Sequence, residues 1–286
     1  MLYINRARVI PGVPLTIDTI DQRRPEAGLS EVKGMLNGSF AWFDAARATL
    51  VVPRWRGLSI DASYWFSKAL DLGANYSDSA SNRSQNRSQS EFESHHDLKG
   101  LSDFDQPHSF LARATYQTPV WKALPSRAAA AAAKWTLSAV ILLKSGTPFL
   151  VQTGSDAPGY GNVDGASGDR PNLLDPSILG RTIGNPDTSA VLLPRRAFSF
   201  IAPGALAGNL GRNVFRKGSI GNVNASLGRR FVVRRTAVEL RAESINVFNT
   251  PQFAAPGASL ANSDFGMITN TLNEGRTWRF QLSCDF

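Results

Sequence analysis

The sequence predicts an all-β protein: an antiparallel up-and-down transmembrane β-barrel, of which these 286 residues form the C-terminal strands of a larger barrel. Three observations predict it. The final stretch, Arg276 to Phe286, alternates strictly, with Trp278, Phe280, Leu282, Cys284 and Phe286 against Thr277, Arg279, Gln281, Ser283 and Asp285. A strand sends alternate side chains to opposite faces, so one face is aromatic and the other polar and charged. Its length suits a tilted strand, which needs roughly 9–11 residues to cross a bilayer. Further segments repeat the pattern, and the connections between them alternate in length. Finally, no uninterrupted apolar run reaches the ~18 residues a membrane helix requires.

Taken in order, Leu2 to Ile10 reads as the tail of a strand whose beginning is absent. Glu31 to Val52 is strand-like, with bends at Gly34 and Gly38. Its phase stays open, because Phe40 and Trp42 alternate against Phe43 and Ala45. Pro53 to Gly57 makes a tight connection. Leu58, Ile60, Ala62, Tyr64 and Phe66 then share one face, while Ser59, Asp61, Ser63 and Trp65 share the other. Ser67 to Gln106 is a long polar loop, and its Ser/Asn/Gln/Arg-rich centre, Ser77 to Ser90, has no apolar anchor.

His108 to Thr118 sets Phe110, Ala112, Ala114 and Tyr116 against Arg113, Thr115 and Gln117. Pro119 to Ala133 connects onward, as an alanine-rich turn or a short helix at Ala128–Ala133. Trp135 to Ser145 follows, with Trp135, Leu137, Ala139, Ile141 and Leu143 on one face. Gly146 to Arg216 is a second long loop, full of Gly, Pro, Asn and Asp; so long a structureless loop counts against a compact soluble domain. Ile220 to Phe231 sets Val223, Ala225, Leu227 and Phe231 against Asn222, Asn224, Ser226 and Arg230. After a short turn, Val238, Leu240 and Ala242 oppose Glu239, Arg241 and Glu243. Those alternating charges suit a hydrated wall, because a dry core makes unpaired charges prohibitive. Asn246 to Phe265 is the third long loop.

The connections thus run long, short, long, medium, long, short, long. Short turns on one rim and long loops on the other mark an outer-membrane barrel. The expected lumen wall is Glu239, Arg241, Glu243, Arg279, Gln281 and Asp285. The expected lipid-facing and assembly row is Trp278, Phe280, Leu282 and Phe286. About seven strands are visible, whereas bacterial single-chain barrels have an even number. An open edge in lipid costs several kcal/mol per unsatisfied group. The segment is therefore expected to complete a larger barrel.

Composition narrows the alternatives. The net charge of +8 raises nucleic acid as a partner. The arginines are scattered without interleaved aromatics, so no nucleic-acid partner is expected. The single cysteine, Cys284, excludes an internal disulfide. Met1 to Arg6 lacks the basic and apolar regions of a signal peptide, and the chain is read as the end of a longer one. His95, His96 and Asp97, with Glu91 and Glu93 nearby, fit no common zinc spacing. Asp164 to Asp169 lacks calcium-loop spacing. Gly159-Tyr-Gly161 has no phosphate-loop spacing, and no Gly-x-Ser-x-Gly occurs. No metal, cofactor or catalytic residue is assigned, and no enzyme is expected.

Five stretches resemble one family, the Oar-like TonB-dependent receptors of the bacterial outer membrane. They are Ala62 to Asp71, Leu101 to Phe110, Gly211-Arg-Asn213, Arg241 to Pro251, and the C-terminal strand. The resemblance runs from about Gly38 onward. It implies a barrel of about twenty-two strands, plugged by an amino-terminal domain. It also implies a periplasmic energy-coupling protein acting through that plug, and barrel-assembly machinery that reads the terminal aromatic Phe286. The sequence contains no plug, coupling segment or export signal, so it reads as a barrel segment without transport activity alone. The substrate is not legible. Two other readings stay open: a structural or adhesive surface barrel, and a soluble β-sandwich binding module.

Overall fold

The computed structural model describes residues 2–30, 32–34, 38–73, 94–119, 125–166, 168–233 and 236–285. Seven long strands carry the fold: β1 (Ala41–Trp55), β2 (Leu58–Asp71), β3 (His108–Gln117), β4 (Trp135–Lys144), β5 (Ile220–Val233), β6 (Thr236–Ile245) and β7 (Thr277–Asp285). Each pairs antiparallel with the next in sequence order. β1 and β7 do not pair with each other, so the sheet is open among the described residues.

The register gives the sheet two unlike faces, because directly opposed residues in neighbouring strands point the same way. Leu50 lies opposite Ala62, Ala62 opposite Ala112, Ala112 opposite Ile141 and Ile141 opposite Val223. Farther along the sheet, Leu227 meets Ala242, Leu240 meets Leu282 and Ala242 meets Phe280. One apolar face thus runs through all seven strands. On the other face Asp61 meets Arg113, Glu243 meets Arg279 and Arg241 meets Gln281. Two side chains of the apolar face, Phe280 and Leu282, are 80% and 64% exposed, and Trp278 is 56% exposed. No second layer of described residues covers them, which removes the β-sandwich reading. Strands of ten residues, such as β4, run roughly 33 Å, enough for a tilted crossing.

Aromatic side chains border the apolar face. Phe66, Tyr64 and Phe110 stand toward the long-loop rim, with Trp278 on β7. Trp135, Phe231 and Tyr116 stand toward the short-turn rim. There the Arg229 guanidinium lies 5.2 Å from the Trp135 ring and 5.0 Å from the Phe231 ring, and donates to the Ala131 carbonyl. Amphipathic rings and snorkelling cations favour such an interface.

Several strand limits differ from the sequence expectation. Leu2 to Ile10 is not a strand of the large sheet. Only Leu2–Ile4 is extended, and it pairs with Val32–Gly34 in a separate ribbon. β1 runs on through Pro53 to Trp55, with a register shift between Val52 and Trp55. Proline is tolerated there because β1 is an edge strand and a shifted register needs no donor. The tight turn is Arg56–Gly57, both at positive φ, as a type I′ hairpin requires. β2 extends past Phe66 to Asp71, because Ser67 to Asp71 pair with Ala41 to Ala45. The alanine-rich connection contains a helix, Ser126–Ala132. The loop centre at Ser77–Ser90 and the turn residues Arg234 and Arg235 lie outside the described residues.

The connections still sort by rim. Those after β2, β4 and β6 are long and emerge at one end. The connection after β4, expected from its composition to be a structureless loop, is instead folded. It contains a helix, Pro186–Leu192, and several two- or three-residue strands. With the connection after β6 it encloses a buried apolar cluster, which includes Phe149, Ile183, Leu193, Phe198, Phe215 and Phe265. Phe215 lies 6.0 Å from Phe149 and 6.1 Å from Phe198, ring centre to ring centre. The dry core thus sits beyond the strands, in a cap over one rim.

Candidate functional site

The cap is joined to the rim by a ladder of aspartate–arginine pairs. Asp71 ends β2, and Gly100–Leu101 pairs back onto Leu70 and Asp71. A turn follows, in which the Asp105 amide donates to the Ser102 carbonyl at 2.9 Å. Across the rim, the segment before β5 supplies the cations. Arg212 pairs with Asp71, with side chains 0% and 4% exposed. Arg212 also donates to the Leu101 carbonyl at 3.1 Å. Asn213 Nδ2 donates to Asp103 Oδ1 at 2.6 Å and to the Leu101 carbonyl at 2.8 Å. Arg216 pairs with Asp105 and donates to the carbonyls of Asp105 and Gly146. Asp105 Oδ1 accepts from the Ala69 amide at 2.6 Å. Farther out, Arg170 pairs with Asp97 and donates to the Leu210 carbonyl. Desolvation pulls the Arg170 pKa below its ordinary value, against the opposing pull of Asp97.

Local backbone explains why these residues stand here. Asn213 sits at φ 55°, a left-handed conformation that asparagine tolerates better than most residues. Gly146 lies where an added Cβ would approach the Lys217 carbonyl oxygen to 1.9 Å, so the chain after β4 passes the chain before β5 only as glycine.

Beside this ladder the three long connections line a half-open cavity of about 380 Å³. Asp103 comes from the first, Phe149, Leu150, Gln152 and Asn213 from the second, and Ser259 from the third. The backbone of Gln152 is held on both sides: its amide donates to the Ala258 carbonyl and its carbonyl accepts from the Leu260 amide. Its side-chain Nε2 is buried and has no hydrogen-bond partner.

A second charged cluster ties the amino-terminal segment to the cap. Arg6 Nε donates to Asp164 Oδ2 at 2.7 Å, and Arg23 donates to the Val163 carbonyl. Burial lowers the Arg23 pKa, while Asp156 and Asp164 act to raise it. Carboxylate oxygens of Asp156, Asp164 and Asp169 lie within 4.8 Å of one another. The Arg6 guanidinium already supplies countercharge there, pairing with Asp164 and lying 4.0 Å from Asp169. Asp97, which the sequence placed near a histidine pair, is engaged by Arg170 instead. His95 and His96 fall in the short helix Ser94–Leu98, not in a strand.

The outer membrane beta barrel domain family matches residues 1–279. The chain belongs to this family. No curated protein and no solved structure matches it. Membership places the domain in the outer membrane, where a single-layered sheet can leave an apolar face exposed to lipid.

The residues expected to form the wall of this outer membrane β-barrel domain fall on two faces by register. Glu239, Arg241, Glu243, Arg279, Gln281 and Asp285 share the polar face. Arg241 pairs with Glu243 at 2.8 Å, and Arg230 of β5 reaches Asp285 at 3.0 Å. Trp278, Phe280 and Leu282 share the apolar face; Phe286 lies outside the described residues. None of them approaches the cavity, whose rim is built from residues not assigned as a site from sequence. The available signal lay in the family-like stretches: Ala62 to Asp71, Leu101 to Phe110 and Gly211 to Asn213 are brought together by the ladder. A fourth stretch is a rim turn, in which Asn246 exchanges hydrogen bonds with Thr250 and Asn249 accepts from the Arg276 amide. Nothing in the sequence marked Gln152 or Ser259.

Proposed function

We propose that this domain is the C-terminal, cap-bearing wall of a TonB-dependent receptor, which binds a small solute outside the cell and passes it inward. The observation that carries the reading is the convergence of three long connections on one folded cap around a cavity. Long barrel loops face outward, so the cap stands where solute arrives. The apolar face, with Trp278, Phe280, Leu282 and Leu240, meets lipid. The polar face, with Glu239, Arg241, Glu243, Arg279, Gln281 and Asp285, lines the lumen. Passage requires the plug and energy-coupling protein that the family resemblance implies, and assembly uses the terminal Phe286. Structure and binding, rather than bond-making chemistry, are the work of this domain.

Uptake by cells producing the full-length gene product tests the proposal. Accumulation of labelled solute is expected to fall to background when the energy-coupling protein is deleted. Solute held at the surface, with no coupling-dependent entry, refutes the receptor reading in favour of an adhesive surface barrel.

A further inference from the structure

We infer that the short-turn rim carries a binding site for the headgroup of an anionic phospholipid, held by Arg54, Arg56 and Lys134. The inference rests on membership of the outer membrane family and on the two unlike faces of the sheet. It is independent of what the cap binds at the other rim.

Charge is divided between the two rims. The arginines of the cap meet aspartates: Arg170, Arg212 and Arg216 each pair with one. At the opposite rim, residues 53–57, 118–134 and 229–236 hold nine lysines and arginines and no aspartate or glutamate. Arg54, Arg56 and Lys134 converge there on an open groove of about 460 Å³, shared with Gln117 and Thr118. No acidic side chain lines the groove, and none of the three cations pairs with a carboxylate among the described residues. Backbone holds the groove in shape. Lys134, at φ 62°, donates its amide to the Thr118 carbonyl at 3.1 Å, and the Thr118 hydroxyl donates to the Ala132 carbonyl at 2.9 Å. Arg54 donates to Gln117 Oε1 at 3.0 Å.

The place of the groove on the sheet selects an amphiphile. Trp55 lies opposite Leu58, and Leu58 opposite Tyr116, all on the apolar face. Gln117, the next residue, belongs to the polar face. The groove therefore spans the line where the two faces meet. The Arg56 guanidinium lies 5.3 Å from the Trp55 ring, which is 61% exposed. A phosphate diester accepts from the guanidiniums and the Lys134 ammonium, while its acyl chains run on along Trp55 and Leu58. A free phosphate, a nucleic acid or an acidic peptide engages the cations and leaves that apolar margin unused. Basic sites at a membrane surface favour anionic headgroups, by about fivefold for each cation.

Binding is measured by native mass spectrometry of the full-length protein in detergent. The probes are dioleoyl phosphatidylglycerol and dioleoyl phosphatidylcholine, with glycerol 3-phosphate and a single-stranded oligonucleotide as competitors. Phosphatidylglycerol is expected to bind at least about tenfold more tightly than phosphatidylcholine, whose headgroup carries its own cation. Combining Arg54→Gln, Arg56→Gln and Lys134→Gln is expected to weaken phosphatidylglycerol at least about tenfold and to leave phosphatidylcholine unchanged. Combining Lys68→Gln, Lys99→Gln and Arg196→Gln removes the same charge beside the other rim and is expected to leave both lipids unchanged. Mobility of the unheated protein in gels reports folding. Arg56→Gln alone, at an exposed turn position, substitutes for a triple variant that fails to fold and is expected to cost about fivefold. Equal binding of the two lipids, wild-type affinity in the folded groove variants, or an equal loss in the distant variant overturns the inference. Displacement of the lipid by either competitor at equal concentration also overturns it, and assigns the groove to a soluble anion.

Discussion

Replacing Asp105 by alanine separates cap from rim at a defined point. The carboxylate is 1% exposed and serves two partners. Oδ1 accepts from the Ala69 amide at 2.6 Å, at the end of β2, and Oδ2 pairs with Arg216 just before β5. Stranding the Ala69 N–H costs about 1–3 kcal/mol. Breaking a buried ion pair costs about 3–5 kcal/mol. Arg216 is 19% exposed and keeps the Asp105 and Gly146 carbonyls, so its share falls at the lower limit. The penalties overlap because one group causes both, and together they come to about 4 kcal/mol. Chemical unfolding of the full-length protein in lipid vesicles measures the total. Hydrogen exchange locates it: the amides of Ala69 and Lys217, the latter bonded to the Thr147 carbonyl at 3.0 Å, are expected to lose protection. Combining Asp105→Ala with Arg216→Ala is expected to cost at least ~1 kcal/mol less than the two single changes summed. A single-variant cost below about 1 kcal/mol, or strict additivity of the pair, refutes the role given to this ladder.

Three further outcomes are expected. Leu240→Arg places a charge amid the apolar face and directly opposite Arg229, costing roughly 2–4 kcal/mol in a reversible folding assay, while Gln281→Arg costs much less; equal costs reverse the assignment of faces. Phe215→Ala opens the centre of the cap core and costs about 3–5 kcal/mol, read as earlier protease cleavage within 146–219 with the strands still resistant. Hydrogen bonds from Ser177 hold the Asp175 carboxyl below the usual carboxylate range. A folded-state pKa depressed in this way adds stability above the unfolded value and loses it as pH falls through the folded one. Asp175→Ala is therefore expected to destabilise the cap at neutral pH and to have a vanishing effect in strong acid, measured by unfolding at each pH.

The strands were legible where alternation is local and one-sided. β2, β3 and β7 set aromatic and aliphatic residues against polar ones within a few positions, and the register reproduces those faces. β1 resisted because Trp42 and Phe43 are both exposed, on opposite faces, so neither parity stands out. Limits failed where tertiary pairing overrides composition. Ser67 to Asp71 look like loop, yet β1 and Asp105 hold them extended. The cap was illegible for a different reason. Its core residues, such as Ile183, Leu193 and Phe215, are scattered through a stretch rich in glycine, proline and asparagine, with no sustained period to reveal them. The ladder joins residues more than a hundred positions apart, as Asp105 and Arg216 are, and no local pattern encodes that meeting.

The shared cap core has a consequence for recombination. Val151 and Phe215 from one excursion pack in the same cluster as Leu260 and Ile268 from another, and Asp105 of a third anchors the first of these through Arg216. A chimaera that grafts a single excursion from a related barrel leaves that core half-built. Exchange of specificity between such barrels is therefore expected to succeed only when all three travel as a set.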